Sequence, residues 1–374
     1  MHIEPFGVEL WMNEFETLCD YNLAETCVES ISIAELLELS GQSQNSLEQI
    51  FSLKLDYGAI EGSERLRNAI ASLYSKQSAS NALVTHGTIG ANSLVHQTLV
   101  STGDKVVSVV PTYQQHYSIP ASIGADVHLL KLKEHEQFLP NLEELKALVT
   151  PDTKLIAITN PNNPTGSLMD SEMLSEIASI ARTADAWVLC DEVYRGVDQH
   201  GTGTTDSMAD IYEKGISTAS MSKAYSLAGL RLGWLVAPEE VVEAVMIHRD
   251  YNTISVGKIN DFFAVMALEN HQAILDRNRK ITRENLDILS EWVSKEPLIS
   301  WIKPQSGTTG LLKYELDMSS RDFCVNLLKQ TGVMLTPGSA MDMEGYVRIG
   351  FANGTAVLKG GLSLMSDFLS NITK

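Results

Sequence analysis

The sequence predicts an α/β fold: a mostly parallel central sheet with helices on both faces, joined to a smaller α+β domain. Three observations predict it. Short apolar runs alternate with amphipathic helical stretches through the middle of the chain. The last third changes character. The 374 residues also exceed one domain at about 150 residues each. No repeat, low-complexity tract or long linker separates the parts, so the domains are expected to interleave.

The first 40 residues read as a helical, acidic arm without a core of its own, expected to pack on the smaller domain. Residues 41–275 are expected to form the large domain and 276–374 the small one. Within 63–76, Leu66, Ala69, Ile70 and Leu73 fall at helical spacing. Val84 and Thr85 lead into a glycine turn and a helix start. The runs at 106–110, 155–159, 187–190 and 232–236 are apolar and bounded by turn residues, which suits strands buried on both faces of a parallel sheet. Asp170 stands where it can cap a helix whose Met173, Leu174, Ile177, Ala178 and Ala181 share a face. Strand and helix in alternation imply right-handed βαβ units, whose chemistry gathers at the C-terminal strand ends. A helical pattern over 261–294 leads out of the sheet. After it come a strand near Thr309–Tyr314, a helix over 320–330, a strand around Tyr346–Gly350 and a last helix from Thr355.

Composition excludes several classes. Hydrophobic residues make up 44% and charged residues 20%, as in an ordinary globular protein. With 28 basic and 47 acidic residues the net charge is −19, which opposes binding to nucleic acid and to anionic lipid. No apolar run approaches the roughly 18 residues of a membrane helix. No secretory signal is visible at the N-terminus, so a cytoplasmic location is expected. Cys19, Cys27, Cys190 and Cys324 stand apart, without a Cys-x-x-Cys pair, and the histidines show no metal-ligand spacing, so neither a disulfide framework nor a metal is expected.

Four segments at strand ends carry candidate chemistry. Thr85-His86-Gly87-Thr88-Ile89-Gly90 is a tight turn or an anion site made by the N–H groups of a helix start. It lacks the endings of a P-loop and of a dinucleotide fingerprint. Asn160-Pro161-Asn162-Asn163-Pro164-Thr165-Gly166 is a stiff polar loop directly after a buried strand. Asp191, after four apolar residues, is a helix cap or a carboxylate in an apolar site that needs a cationic partner. Lys223, in Ser220-Met221-Ser222-Lys223, is a surface lysine or one that forms a Schiff base.

Taken together, in this order, these segments resemble the class I/II aminotransferases, pyridoxal-phosphate-dependent enzymes of fold type I. The resemblance spans residues 56–351. It rests on Asn163-Pro164-Thr165-Gly166, on Asp191-x-x-Tyr194, and on Ser220-x-Ser222-Lys223 followed by Gly229-x-Arg231. It implies that Lys223 forms the Schiff base and moves the proton, and that Asp191 partners the ring nitrogen. It implies that Asn163 and Tyr194 bond the ring's phenolic oxygen and that Tyr113 stacks on the ring. The N–H groups of Gly87, Thr88 and Ile89, with Ser220, Ser222 and Arg231, would cradle the phosphate. Tyr57 would reach the phosphate of a second subunit, which implies a homodimer with shared sites. Arg348, in Val347-Arg348-Ile349-Gly350, would grip the substrate carboxylate, alongside Asn163. The implied function is transfer of an amino group between an L-amino acid and a 2-oxo acid in amino-acid metabolism.

The chain departs from the family where a glycine-bearing stretch usually closes over the substrate. Here the region reads Tyr21-Asn22-Leu23-Ala24-Glu25-Thr26-Cys27. Glu25 is therefore a candidate substrate contact, facing a basic side chain, against a solvated glutamate. No convincing second arginine for an acidic substrate is visible; Arg195 and Arg249 are the remaining candidates. Two rival functions stand beside transamination. One is a lyase or cyclising enzyme acting at Cβ or Cγ, because the cofactor supplies the electron sink and the pocket selects the bond. The other is a ligand-binding regulator that keeps the pocket, which the chain's acidity and the absence of a preceding DNA-binding module oppose.

Overall fold

The computed structural model describes residues 2–372. Among them, seven strands form the central sheet: β1 (Ala82–Thr85), β2 (Lys105–Val110), β3 (Asp126–Lys131), β4 (Thr153–Thr159), β5 (Trp187–Asp191), β6 (Gly215–Ser220) and β7 (Gly233–Val236). Their spatial order is β1-β7-β6-β5-β4-β2-β3. The neighbours from β6 through β3 pair in parallel. β7 is antiparallel to both β1 and β6. The run at 232–236 is thus a strand, but not the parallel one expected. A parallel crossover usually carries a helix. The link from β6 holds only the 3-10 turn Ala228–Leu230, so the chain turns straight back.

Two strands lack an apolar signature for opposite reasons. β3 is the sheet edge and leaves most of its residues partly exposed. β6 is buried throughout yet carries Ser217, Thr218 and Ser220. Buried hydroxyls are tolerated when they are hydrogen-bonded. Ser217 Oγ donates to Glu192 (2.8 Å), and Thr218 Oγ1 donates to Asn92 (2.6 Å).

The helices follow their patterns. Asp170 accepts from the Met173 N–H at 2.9 Å and caps Ser171–Thr183, which buries Leu174, Ile177, Ala178 and Ala181 against the sheet. The pattern at 261–294 resolves into two helices, Lys258–Glu269 and His271–Val293, broken at Asn270.

A second sheet contains β8 (Ile299–Trp301), β9 (Thr309–Tyr314), β10 (Thr336–Pro337) and β11 (Tyr346–Gly350), antiparallel, in the order β10-β11-β9-β8. Helices Ser320–Thr331 and Thr355–Ile372 cover it. Helix α1 (Gly7–Phe15) docks here: Trp11 joins the core formed with Phe323, Phe351 and Phe368, and its indole N–H donates to the Leu335 carbonyl at 2.8 Å. Tyr21–Asn22 pairs in parallel with Val333–Met334. Further along, Val28, Ile31, Leu36 and Leu37 join the core of the large sheet instead. The arm therefore bridges both units. Among the described residues, no helix is long and apolar enough to cross a membrane.

Candidate active site

The strands other than β7 run in one sense, so Thr85, Thr159, Asp191 and Ser220 end at a common edge. Because β7 runs back, its first residue, Gly233, pairs with both Thr85 and Ser220. Arg231, just before β7, lands on that same edge. Only glycine fits at 233: an added Cβ would lie 2.4 Å from the carbonyl carbon of Gly87 and 2.6 Å from the nitrogen of Thr88. A cleft of about 480 Å³ opens over this edge, walled on its other side by α1, the 24–27 segment and Arg348.

At one end of the cleft, Gly87 starts helix α2 (Gly87–Leu99) in the left-handed region, with φ of 70°. Free N–H groups at a helix start attract anions. Thr88 Oγ1 is buried there without a partner. Arg231 donates to the Ala228 carbonyl (2.9 Å) and weakly to Ser222 Oγ (3.4 Å), while Ser220 Oγ accepts from the Ser222 N–H. Thr88, Ile89, Ser220, Ser222 and Arg231 all line the cleft.

Asp191 closes β5 and is almost wholly buried. Its Oδ2 accepts from Asn92 Nδ2 at 2.8 Å, and its Oδ1 from the Val193 N–H at 3.1 Å. The Asn92 amide oxygen is in turn held by Thr218. His116 Nε2 stands 3.7 Å from Asp191, and its other ring nitrogen is 3.3 Å from His96. Burial, and then His116, hold the His96 imidazole well below its usual pKa. Among the described residues no lysine or arginine pairs with Asp191; the ring of His116 is the group recorded at ion-pair distance.

Lys223 points across the cleft. Its Nζ donates to Thr26 Oγ1 at 2.6 Å and to Cys27 Sγ at 3.4 Å, and it lies 4.0 Å from Glu25 Oε1. Burial opposes its ammonium, but Cys27, Tyr194 and Glu25 outweigh this and keep its pKa above the lysine value. Burial pushes the Cys27 thiol up to about 11. Glu25 Oε1 accepts from the N–H groups of Thr26 (2.6 Å) and Cys27 (2.8 Å). Burial disfavours its charge, yet Lys223 and these bonds leave the Glu25 pKa below its usual value. The segment is pinned by Gly350 N–H to the Leu23 carbonyl and by Thr308 Oγ1 to the Thr26 carbonyl.

Arg348, on β11, is 4% exposed. It donates to Thr336 Oγ1 (3.1 Å), the Ala24 carbonyl (3.2 Å) and Asn163 Oδ1 (3.3 Å), and its Nε has no partner. Burial lowers its pKa. It belongs to no ion pair among the described residues, so it is not the surface pair that a strand-end arginine often makes. Tyr194 is buried beside Lys223 and Thr26, and burial raises its phenol pKa. Tyr113 is half-buried, packs on Phe6 with ring centroids 4.8 Å apart, and donates to Glu9 at 3.4 Å.

The structure thus brings Thr88, Ile89, Tyr113, Asn163, Asp191, Tyr194, Ser220, Ser222, Lys223, Arg231, Arg348 and Glu25 to one cleft, with Gly87 behind Arg231. Tyr57 is not among them. It is 78% exposed, and its sequence neighbours Phe51, Leu55 and Ile60 are exposed too. Neither Arg195 nor Arg249 reaches the cleft: Arg195 donates to the Thr205 and Leu73 carbonyls, and Arg249 to that of Ile60. The residues that motif reasoning passed over are Asn92, Thr26, Cys27, His116 and Glu9. Only Asn92 had a local signal, one helical turn past the glycine turn.

The sequence pattern of the family "Aminotransferase class I and II" matches residues 38–358. A crystal structure of a PLP-dependent aminotransferase from Streptococcus suis is 42% identical, covers 99% of both chains and superposes with a TM-score of 0.96. Capreomycidine synthase of Streptomyces vinaceus is 27% identical over 363 residues, 97% of this chain and 93% of its own. The crystal structure of the PLP-dependent cyclase OrfR is 26% identical, with a TM-score of 0.91 over 99% and 98% of the two chains. The donor set suits pyridoxal 5′-phosphate. The orphaned Thr88 hydroxyl and Arg231 flank a helix start that favours a phosphate, and among the described residues no lysine or arginine pairs with Asp191, beside which His116 stands at 3.7 Å. Sheet, cleft and whole-chain likeness agree: this chain belongs to the class I and II aminotransferases, a family that depends on pyridoxal 5′-phosphate.

Proposed function

We propose that the protein transfers an amino group from an L-amino acid to a 2-oxo acid. The observation that carries this reading is the convergence of Lys223, Asp191 and an ion-pair-free Arg348 on one cleft. When bound, pyridoxal phosphate supplies an electron sink for the charge left as a substrate Cα–H bond breaks. The chain's residues do the rest. The N–H groups of Gly87, Thr88 and Ile89, with Ser220, Ser222 and Arg231, hold the phosphate. Asp191, fixed by Asn92 and the Val193 N–H, keeps the ring nitrogen protonated. Asn163 and Tyr194 would bond the phenolic oxygen, and Tyr113 would pack on the ring. Arg348 presents its planar fork to the substrate carboxylate, the geometry suited to two parallel bonds. Lys223 would hold the cofactor, and its amine is the group placed to move a proton at the substrate Cα. Thr26 and Cys27 receive that amine, holding it on the cleft side. The exposed Tyr57, outside its own cleft, suits a homodimer in which one copy completes its partner's site.

A second reading, elimination or cyclisation, is favoured by the likeness to a synthase and a cyclase over nearly the whole chain. One half-reaction separates the two. Holoenzyme mixed with an amino acid and no acceptor should release one equivalent of oxo acid per site and stop. Sustained acceptor-free turnover, with ammonia, another leaving group or a cyclic product, would replace transfer by the second reading.

A further inference from the structure

The outer half of the cleft carries charge that no role above uses. Helix α1 turns two faces to different partners. Trp11, Glu14 and Phe15 meet Arg321, which pairs with Glu14 at 2.8 Å and lies over both aromatic rings. Val8, Glu9 and Met12 line the cleft, and so does Glu16, which opens the 3-10 turn Glu16–Leu18 just past α1.

The cleft's other charges are already spoken for. Arg231 faces the helix start, Asp191 is fixed by Asn92, and Lys223 lies beside Glu25, whose Oε1 is tied to two N–H groups. Glu9 and Glu16 join no ion pair among the described residues. Each accepts one long hydrogen bond, from Tyr113 at 3.4 Å and from Asn22 at 3.5 Å. An independent observation shows that a charged ligand is expected here: Arg348 is buried, aimed into the cleft, and leaves Nε unpartnered. Val8, Glu9, Met12 and Glu16 line the same cleft as Arg348, so a ligand whose carboxylate meets Arg348 sits in a space that both glutamates border.

We propose that Glu9 and Glu16, with Met12 between them, form a subsite for a cationic substrate side chain, a guanidinium or ammonium on an apolar stem. This rests on the amino-acid reading above and names the substrate class of that same site. Val8 and Met12 pack on the methylenes, while the carboxylates take the cationic head. An acidic side chain would meet two like charges and no arginine.

The test compares L-arginine with L-citrulline, its neutral isostere, on the holoenzyme. Dissociation constants come from the cofactor's visible absorbance and kcat/KM from product release. Arginine should be preferred by about tenfold or more, the scale of a hydrogen bond to a charged group. Glu9→Gln with Glu16→Gln should bring that ratio toward one, whereas a merely structural loss would lower both substrates together. Tyr113→Phe, which removes the bond to Glu9 but keeps its charge, should preserve the ratio. Equal binding of arginine and citrulline, or a preference for L-glutamate, would overturn the subsite. The binding ratio is read even from an enzyme that eliminates or cyclises, so failure of the transfer reading shows separately, in the product analysis.

Discussion

The inner end of the cleft is carried by strand ends, whereas its outer lip is carried by α1 and the 24–27 segment. At the inner end, Asp191, Asn92 and Thr218 are buried and hydrogen-bonded in series. At the lip, Glu9 and Glu16 are exposed and held by one long bond each. Covalent continuity with a sheet fixes a side chain far better than docking by a nine-residue helix. Chemistry common to many substrates belongs on the first kind of support. Discrimination among substrates belongs on the second, where changes leave the sheet untouched.

The sharpest way to break this contrast is at Lys223. Lys223→Ala should reduce single-turnover release of oxo acid by about 10⁴-fold, the upper range for a lost acid–base group. Borohydride treatment of the wild-type holoenzyme should attach the cofactor to the Lys223 peptide. Label on another lysine would overturn the assignment.

A smaller effect is expected one layer behind the cofactor. Asp191→Ala should cost about 10²–10⁴-fold in kcat, and Asn92→Ala only about tenfold, because the Val193 N–H still orients the carboxylate. Stopped-flow rates of the half-reaction measure both. If Asn92→Ala equals Asp191→Ala, Asn92 does more than position its neighbour.

The smallest effect should come from the ring that touches the lip. Tyr113→Phe keeps the aromatic face on Phe6 and loses a 3.4 Å bond, longer than good hydrogen-bond geometry. Steady-state kcat should fall by less than about fivefold. A larger loss would show that the lip and the inner end are coupled through the Tyr113 hydroxyl.

Much of this contrast was readable from the chain itself, though unevenly. The Asp170 cap, the glycine turn at Gly87 and the apolar runs of β2, β4 and β5 all depend on near neighbours, and each formed where its pattern stood. β6 gave no apolar signal, because its hydroxyls are satisfied by Glu192 and Asn92, which lie far away in sequence. Asn270 interrupts a helical pattern that periodicity alone runs through. Thr26 and Cys27 attracted attention only as the place where a glycine is missing.

The sequence by itself determined the local units and pointed to the candidate groups: Lys223 after Ser222, Asp191 after an apolar strand, Asn163 before Pro164. Helix period, strand period and turn chemistry act over a few residues, so they are written in contiguous sequence. Tertiary structure decided which groups meet. The reversal of β7 carries Arg231 to the strand-end edge. Pairing of β11 with β9 and β10 brings Arg348 onto Asn163 and Ala24. Docking of Trp11 in the second core turns the adjoining face of α1 to the cleft. Each depends on packing between distant segments, and close packing selects one arrangement that no local pattern encodes.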